Sequence, residues 1–515
     1  MPARSRTAPL RGRKGSPAHP VAVLSTRAAP SPAGFEVERV VVDPRIEVTQ
    51  WVAPELGNSS YRILLPDSRA AAVVDPVRDA YGYLADLGSE EDGQDGRRWT
   101  WKALETHVHN DFVSGGRELA AAVGAEVATG TLAELSFEHR ALRDAERIAL
   151  GEWELEALAT PGHTPEHVSY LLRDPEDRPR ALFSGGALMV GGAARTDLFG
   201  PARARPLARD LYRSLHERLR KVPSDVLLLP THGGGSFCAT GTGDRRRSTL
   251  REERSTNPLL RAGSMEEFFA RILEQGPFPR YYLGMRKLNS GGAPVLGPRS
   301  PQPRALPLDR FDRLRAEGAS VIDTRPAEAY DAGHIPGSLA VDAAGPLSAW
   351  VGWLLPPERP LVLLSSNERE AEEAGRQLFR IGFDLVQGAL AGGLATWKAA
   401  GRALQTTRAV RMRELAWLLS SEESPVVVDV RESHEWFEGH IPGSLNLPLA
   451  ALLERSHELP RDTPLAVHCA AGYRATVAAS LLEQAGFSKV LRVSDGYEAW
   501  KARGASVLSE VAPQE

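Results

Sequence analysis

Residues 101–127 read WKALETHVHNDFVSGGRELAAAVGAEV, an apolar opening, a loop with two histidines, then a run with helical spacing. The pattern is strand, histidine-rich loop, helix. His107 and His109 stand at i and i+2, so in an extended segment both imidazoles face one side. Outward from this stretch the theme recurs. His163 lies in TPGHTPEH (160–167) and His232 in PTHGGG (230–235), each following an apolar run that reads as a strand. Loops at strand ends are where layered α/β proteins place function. Neutral imidazole is a common ligand of zinc and iron. A lone histidine in such a loop reads as a capping or hydrogen-bonding residue; an ordered series reads as a metal site.

The second half repeats itself. VIDTRPAEAYDAGHIPGSLAV from Val321 and VVDVRESHEWFEGHIPGSLNL from Val427 share a strand, an Asp-x-Arg and GHIPGS. The match resumes in GGLATWKAAG from Gly392 and DGYEAWKARG from Asp495. So wide a period marks two copies of one domain rather than a short-repeat array. Runs such as VVVDV (426–430) lack polar alternation and read as strands buried on both faces, which predicts a small parallel α/β sheet in each copy.

The length of 515 residues allows about three domains at ~150 residues each. Hydrophobic residues at 42%, charged residues at 25% and a net charge of −4 give no field favouring nucleic acid or anionic lipid. No apolar run approaches the ~20 residues of a membrane span. Residues 1–35 hold six basic residues and no acid, with recurrent proline; the expectation is a disordered basic tail rather than a transit peptide. NSGGAPVLGPRSPQPRALP, from Asn289, is the best linker candidate.

Only two cysteines occur, and they argue for a reducing compartment rather than a disulfide framework. Cys469 heads HCAAGYRA (468–475). Successive backbone N–H groups around Gly472 suit a sulfur anion, and Arg474 is placed to neutralise one. Four residues separate Cys469 from Arg474, where phosphatase loops have five, so the cradle is smaller than phosphate needs. Tyr473 is expected at the loop mouth. In the earlier copy Ser365 aligns with Cys469 and Glu370 with Arg474. A hydroxyl carries sulfur poorly and a carboxylate repels anions, so that copy reads as silent. Cys238, in PTHGGGSFC, is either a sulfur relay beside the metal or a small packing residue.

THVHND, PGHTPEH, FSGGAL (183–188) and PTHGGG resemble, in order, the motifs of the metallo-β-lactamase fold, an αββα sandwich. TDL after Arg195 and EERSTNPLL (252–260) are similar to its persulfide dioxygenase branch, and HCAAGYRA with GHIPGS resembles rhodaneses. The fold class implied is multidomain α/β: a lactamase-like sandwich (36–290), a linker (291–305), a rhodanese-like domain lacking its cysteine (306–405) and a rhodanese domain with one (406–515).

The resemblance implies iron held by the first histidine of the pair and the PGH histidine, His107 and His163, with an aspartate where this chain has Gly186. A second-site histidine is replaced by Phe112. His109 is expected to take the aspartate's part, with Asp111 and His232 behind the metal ligands. Arg195 is expected to meet a substrate carboxylate or brace its loop. One Fe(II) per chain is expected, zinc being the alternative. The partners implied are a glutathione-like persulfide, sulfite or thiosulfate and O2, with neither nucleic acid nor membrane, in a homo-oligomer of the cytoplasm or, alternatively, the mitochondrial matrix. The competing functions are a zinc-dependent thioester hydrolase of the glyoxalase II kind and a sulfurtransferase with an inert first domain.

Overall fold

The computed structural model describes residues 34–84, 98–239, 245–273, 276–297, 299–422 and 424–509. The first domain is a sandwich of two sheets. One runs Glu36–Asp43, Ile46–Ala53, Asn58–Leu65, Ala70–Val74, Thr100–Leu104, Glu126–Gly130 and Arg140–Leu142, antiparallel at first and parallel from Ala70–Val74 onward. The other pairs Arg147–Leu150, Trp153–Ala159, Val168–Arg173, Pro179–Gly185, Leu227–Pro230 and Ser248–Thr249. Apolar side chains from both sheets, among them Val48, Ile63, Leu104, Trp153, Tyr170 and Phe183, form the core between them.

Helices cover the outer faces. Gly116–Val123 packs against the first sheet, and Gly124 closes it at φ 68°, a left-handed position suited to glycine. Pro201–Arg213 and Met265–Ile272 cover the second, burying Leu211, Phe268 and Ile272 against it. The layers are therefore helix, sheet, sheet, helix.

Each rhodanese-like copy is a five-stranded parallel sheet with the same strand order. The first is Ala305–Leu306, Val386–Leu390, Leu361–Leu364, Ser320–Asp323 and Leu339–Ala340; the second is Arg408–Val410, Val490–Val493, Leu465–His468, Val426–Asp429 and Leu445–Asn446. The shared Asp-x-Arg has one job in both. Arg325 binds Asp323 and the Gly333 carbonyl; Arg431 binds Asp429 and the Gly439 carbonyl.

The first copy docks on the sandwich through buried charge. Arg380 donates to both oxygens of Asp79 at 2.9 and 2.8 Å and to Glu55 at 2.6 Å, and its carbonyl accepts the Val113 N–H at 2.8 Å. Arg78 answers from the other side with Asp384 at 2.5 and 3.1 Å. The tail expected over residues 1–35 lies, for 1–33, outside the described residues. Phe35 does not fit it: the ring is buried against Trp51 and Tyr83, beneath Arg380. Among the described residues no helix is long and apolar enough to cross a membrane.

Candidate functional site

Four loops leave strand ends on one edge of the sandwich and bring histidines together. His107 follows Thr100–Leu104, His163 follows Trp153–Ala159, Gly186 follows Pro179–Gly185 and His232 follows Leu227–Pro230. Ring nitrogens of His107, His163 and His232 lie within 4.8 Å of one another, and all three residues are about 1% exposed.

Their tautomers are set by acceptors behind each ring. His163 Nδ1 donates to the Arg195 carbonyl at 2.6 Å. Thr106 Oγ1 gives its proton to Asp75, so it accepts from His107 Nδ1 at 2.9 Å. The Asn58 amide nitrogen is held by Asp111 at 2.6 Å, which turns Asn58 Oδ1 to His232 Nδ1 at 2.9 Å. Every Nε2 is left as a lone pair, and those of His107 and His232 are 3.3 Å apart.

Two unprotonated nitrogens facing each other in a dry pocket repel, and a cation between them relieves the repulsion. Nitrogens bound ~2.0–2.1 Å from one ion stand roughly 3.0–3.4 Å apart, so the spacing fits. Burial, with the other imidazoles close by, holds His107 and His163 well below the ordinary imidazole value and keeps them neutral, as ligands must be.

His109 is not part of this trio, which corrects the expected set of His107, His109 and His163. Its Nε2 is 3.1 Å from Asp75 and 3.4 Å from Glu105, and its ring stacks on Phe112 at 4.2 Å between centroids. Burial alone would depress it, but the two carboxylates push it up to about 10. A cationic imidazole offers no lone pair. Donors of His109, Asp111 and His232, and of Asp75, Glu105 and His109, also cluster, and His109 Nδ1 stands 4.0 Å from Asp111. His232, expected behind the ligands, takes the third place in the trio, and Asp111 sits behind it at 3.3 Å.

The glycine at 186 leaves no vacancy. A Cβ there would lie 2.7 Å from His163 Cδ2 and 2.9 Å from the Ala194 Cβ. Beside it His167, which the sequence reading passed over, accepts the Gly186 N–H at 3.0 Å and stacks on His107 at 5.1 Å. Its other nitrogen meets Thr160, so it is a spacer, not a donor to metal. The HTPEH spacing is the signal that could have found it. Asp75, which binds the Thr106 N–H at 2.6 Å, the Thr106 and Thr231 hydroxyls and His109, carries φ 49°, an uncommon backbone for aspartate.

For two other residues the structure favours one of the two roles expected. Arg195 faces no open space: it binds Asp197 at 2.6 and 2.7 Å and the carbonyls of Gly276 and Phe237 at 2.7 and 3.2 Å, so it braces its loop. Cys238 is buried, and burial with Asp111 nearby pushes its thiol well up. A thiol held protonated is a poor nucleophile, which favours packing over sulfur relay.

In the second rhodanese-like copy, Cys469 ends Leu465–His468 and precedes the helix Tyr473–Gln484. Gly472 caps that helix at φ 99°, and its N–H donates to Cys469 Sγ at 3.0 Å. A Cβ at 472 would meet the Ser494 carbonyl at 2.6 Å. The helix N-terminus and this N–H favour negative charge on sulfur. Arg474 is tied to Glu435 at 2.6 and 2.9 Å at the edge of the loop. Tyr473, expected to line the mouth, instead donates its hydroxyl to the Asp342 carbonyl of the first copy at 3.0 Å.

In that first copy the loop is filled from within: Glu370 accepts from Thr324 at 2.7 Å and from the Ser366 N–H at 3.1 Å, and Ser365 meets Thr324 at 2.7 Å.

The Rhodanese-like domain family matches residues 308–400 and 412–503. The chain is 33% identical over 207 residues to the mitochondrial persulfide dioxygenase of Homo sapiens, covering 39% of this chain and 70% of that one. It is also 33% identical over 236 residues to a hydroxyacylglutathione hydrolase of Methylococcus capsulatus, covering 41% and 84%. A crystal structure of a metallo-β-lactamase from Staphylococcus aureus subsp. aureus COL aligns with TM-score 0.59 and 27% identity over 67% of this chain and 99% of that one. With the αββα sandwich, the histidine-bearing edge and both parallel sheets in view, the chain belongs to the metallo-β-lactamase-fold persulfide dioxygenases in their form fused to tandem rhodanese-like domains.

Proposed function

We propose that the chain oxidises a low-molecular-weight persulfide, such as glutathione persulfide, to sulfite with dioxygen at one iron per chain, and that Cys469 transfers sulfane sulfur to sulfite. The observation that carries this reading is the convergence of ring nitrogens of His107, His163 and His232, each ring held from behind at Nδ1. Bound there, iron supplies the redox chemistry for adding oxygen to sulfur. The balance is RSSH + O2 + H2O → RSH + SO3²⁻ + 2H⁺: the outer sulfur loses four electrons and dioxygen gains them. Imidazole ligands carry no negative charge, so they would leave a cation's charge uncancelled and favour an anionic persulfide. Arg195, through its carbonyl on His163 and its guanidinium on Asp197, fixes one ligand to its loop.

Cys469 thiolate takes the outer sulfur of a second persulfide molecule, whose S–S bond breaks to release RSH, and the Gly472 N–H holds the resulting persulfide anion. Sulfite attacks the outer sulfur, the S–S bond breaks, and the electron pair returns to Cys469 as thiolate, releasing thiosulfate. Arg474 supplies positive charge at the loop edge. The reading places this work in a reducing cytoplasmic compartment and in a homo-oligomer.

A second reading, a zinc thioester hydrolase, draws on the Methylococcus relative; Phe112 and Gly186 thin the donors such a two-metal site uses. The test is an oxygen electrode with iron-loaded protein and glutathione persulfide. One O2 consumed per sulfite formed is expected. Cleavage of an acylglutathione by zinc-loaded protein without oxygen uptake in the iron form supports the hydrolase. Neither activity leaves only the transferase.

A further inference from the structure

The helix that begins at the Cys469 loop is fastened to the cysteine-less copy along its length. At its first residue, Tyr473 donates to the Asp342 carbonyl at 3.0 Å. Two turns on, Ser480 Oγ accepts the Ala340 N–H at 3.1 Å. Near its end Glu483 accepts from Tyr330 at 3.2 Å and Thr407 at 2.6 Å and lies 3.3 Å from His334. Close by, Arg492 grips Asp331 at 2.5–3.1 Å.

The anchor under Tyr473 is rigid. Asp342 opens a tight turn in which its carbonyl also accepts the Gly345 N–H at 3.2 Å and its carboxylate accepts the Ala344 N–H at 2.8 Å. Ala343 is tied to Thr324 and Gln377. Gly345 lies against the phenol: a Cβ there would stand 2.3 Å from Tyr473 Cε2 and 2.8 Å from Cζ. Yet Tyr473 adjoins Gly472, whose N–H holds the sulfur. A displaced phenol therefore drags the residue next to the anion-binding N–H.

We propose that the Asp342–Gly345 turn of the cysteine-less copy is part of the sulfur-transfer site, with Tyr473 as the positioning residue that registers the Cys469 loop against it. The proposal rests on Cys469 being the sulfur carrier. It gives the copy without a cysteine a task beyond packing: it sets the distance between the Gly472 N–H and sulfur without touching sulfur itself.

The experiment uses the full chain with thiosulfate as donor and cyanide as acceptor, in wild type, Cys469→Ala, Tyr473→Phe and Gly345→Ala. Tyr473→Phe removes only the hydroxyl; Gly345→Ala is tolerated by its own backbone and acts by pushing the ring. Loss of one such hydrogen bond predicts a fall of about fivefold in kcat/KM for Tyr473→Phe, carried by kcat, and a larger fall for Gly345→Ala. A second readout is the ratio of Cys469 alkylation rates by anionic iodoacetate and neutral iodoacetamide at one pH. It follows anion binding at the loop and is insensitive to stability alone, and it is expected to drop in both variants. If wild type and Cys469→Ala are equally inactive, the sulfur-carrier reading fails. If wild type is active and both variants keep kcat/KM and the alkylation ratio, the turn is mere packing and the positioning role is overturned.

Discussion

The two rhodanese-like copies share a scaffold and differ in what fills one loop. Both have the same strand order, the same Asp–Arg–carbonyl brace and a histidine stacked on an aromatic ring, His334 on Tyr330 at 3.8 Å and His440 on Trp436 at 3.6 Å. In the second copy the loop leaves an N–H for Cys469 Sγ. In the first, the Glu370 carboxylate takes a loop N–H, that of Ser366, for itself, and Asn367 caps the helix that follows. The silent copy thus carries its own anion. Where the second copy has a thiol, the first has a hydroxyl and a carboxylate bound into its own loop.

The strongest way to break this comparison is to exchange the loops' chemistry. Cys469→Ala is expected to lower sulfur transfer by at least about 10³-fold, measured as thiocyanate formed from thiosulfate and cyanide. Adding Ser365→Cys and Glu370→Arg to that variant is expected to recover less than about a tenth of wild-type activity. Gly472 has a left-handed backbone, and Glu368 stands in its place in the first copy; a side chain makes that conformation costly. Full recovery would mean that side chains alone, not backbone, silence the copy.

Next in size is the docking of the first copy on the sandwich. Arg380→Met leaves Asp79 and Glu55 buried and unpaired, and unfolding of the full chain is expected to lose about 3–5 kcal/mol. The exposed pair Arg280–Glu454, which also joins distant parts of the chain, is the contrast: Arg280→Ala is expected to leave the unfolding midpoint unchanged.

The last contrast is in pH. Burial above all pushes His167 from 6.5 down to about 3, and His107 and His163 also sit well below 6.5. A group depressed in the fold contributes fully above its unfolded value and loses that contribution as pH falls through the gap. His109, raised to about 10, is protonated in both states below pH 6.5 and adds no slope there. Metal-free protein is therefore expected to lose stability from pH 6.5 toward 3, by at most about 1.4 kcal/mol per pH unit for each such histidine. Thermal melts of the separate transitions would show the sandwich yielding before the rhodanese-like pair.

Much of this is legible in the sequence, for stated reasons. Runs such as VVVDV and the repeated GHIPGS announce parallel sheets, and glycine-rich loops after apolar runs announce the histidine-bearing edge. The ligand geometry is less legible. The His-x-His spacing puts two rings side by side, but Asp75 and Glu105 engage His109 Nε2, and nothing at positions 107–109 encodes those partners. Arg474 and Tyr473 read as open to the loop mouth because Glu435 and Asp342, which engage them, are distant in the chain, and Arg195 stays undecided in the sequence because Gly276 is. Cys238 and Cys469 are equally buried; the Gly472 N–H on Cys469 Sγ separates them, and sequence does not give that contact.

The most direct measurement is the iron retained after gel filtration by wild type, His232→Ala and His109→Ala, loaded identically. With His107, His163 and His232 as the donors, His232→Ala loses its metal while His109→Ala keeps most of it. Retention by His232→Ala together with loss from His109→Ala would contradict the assignment.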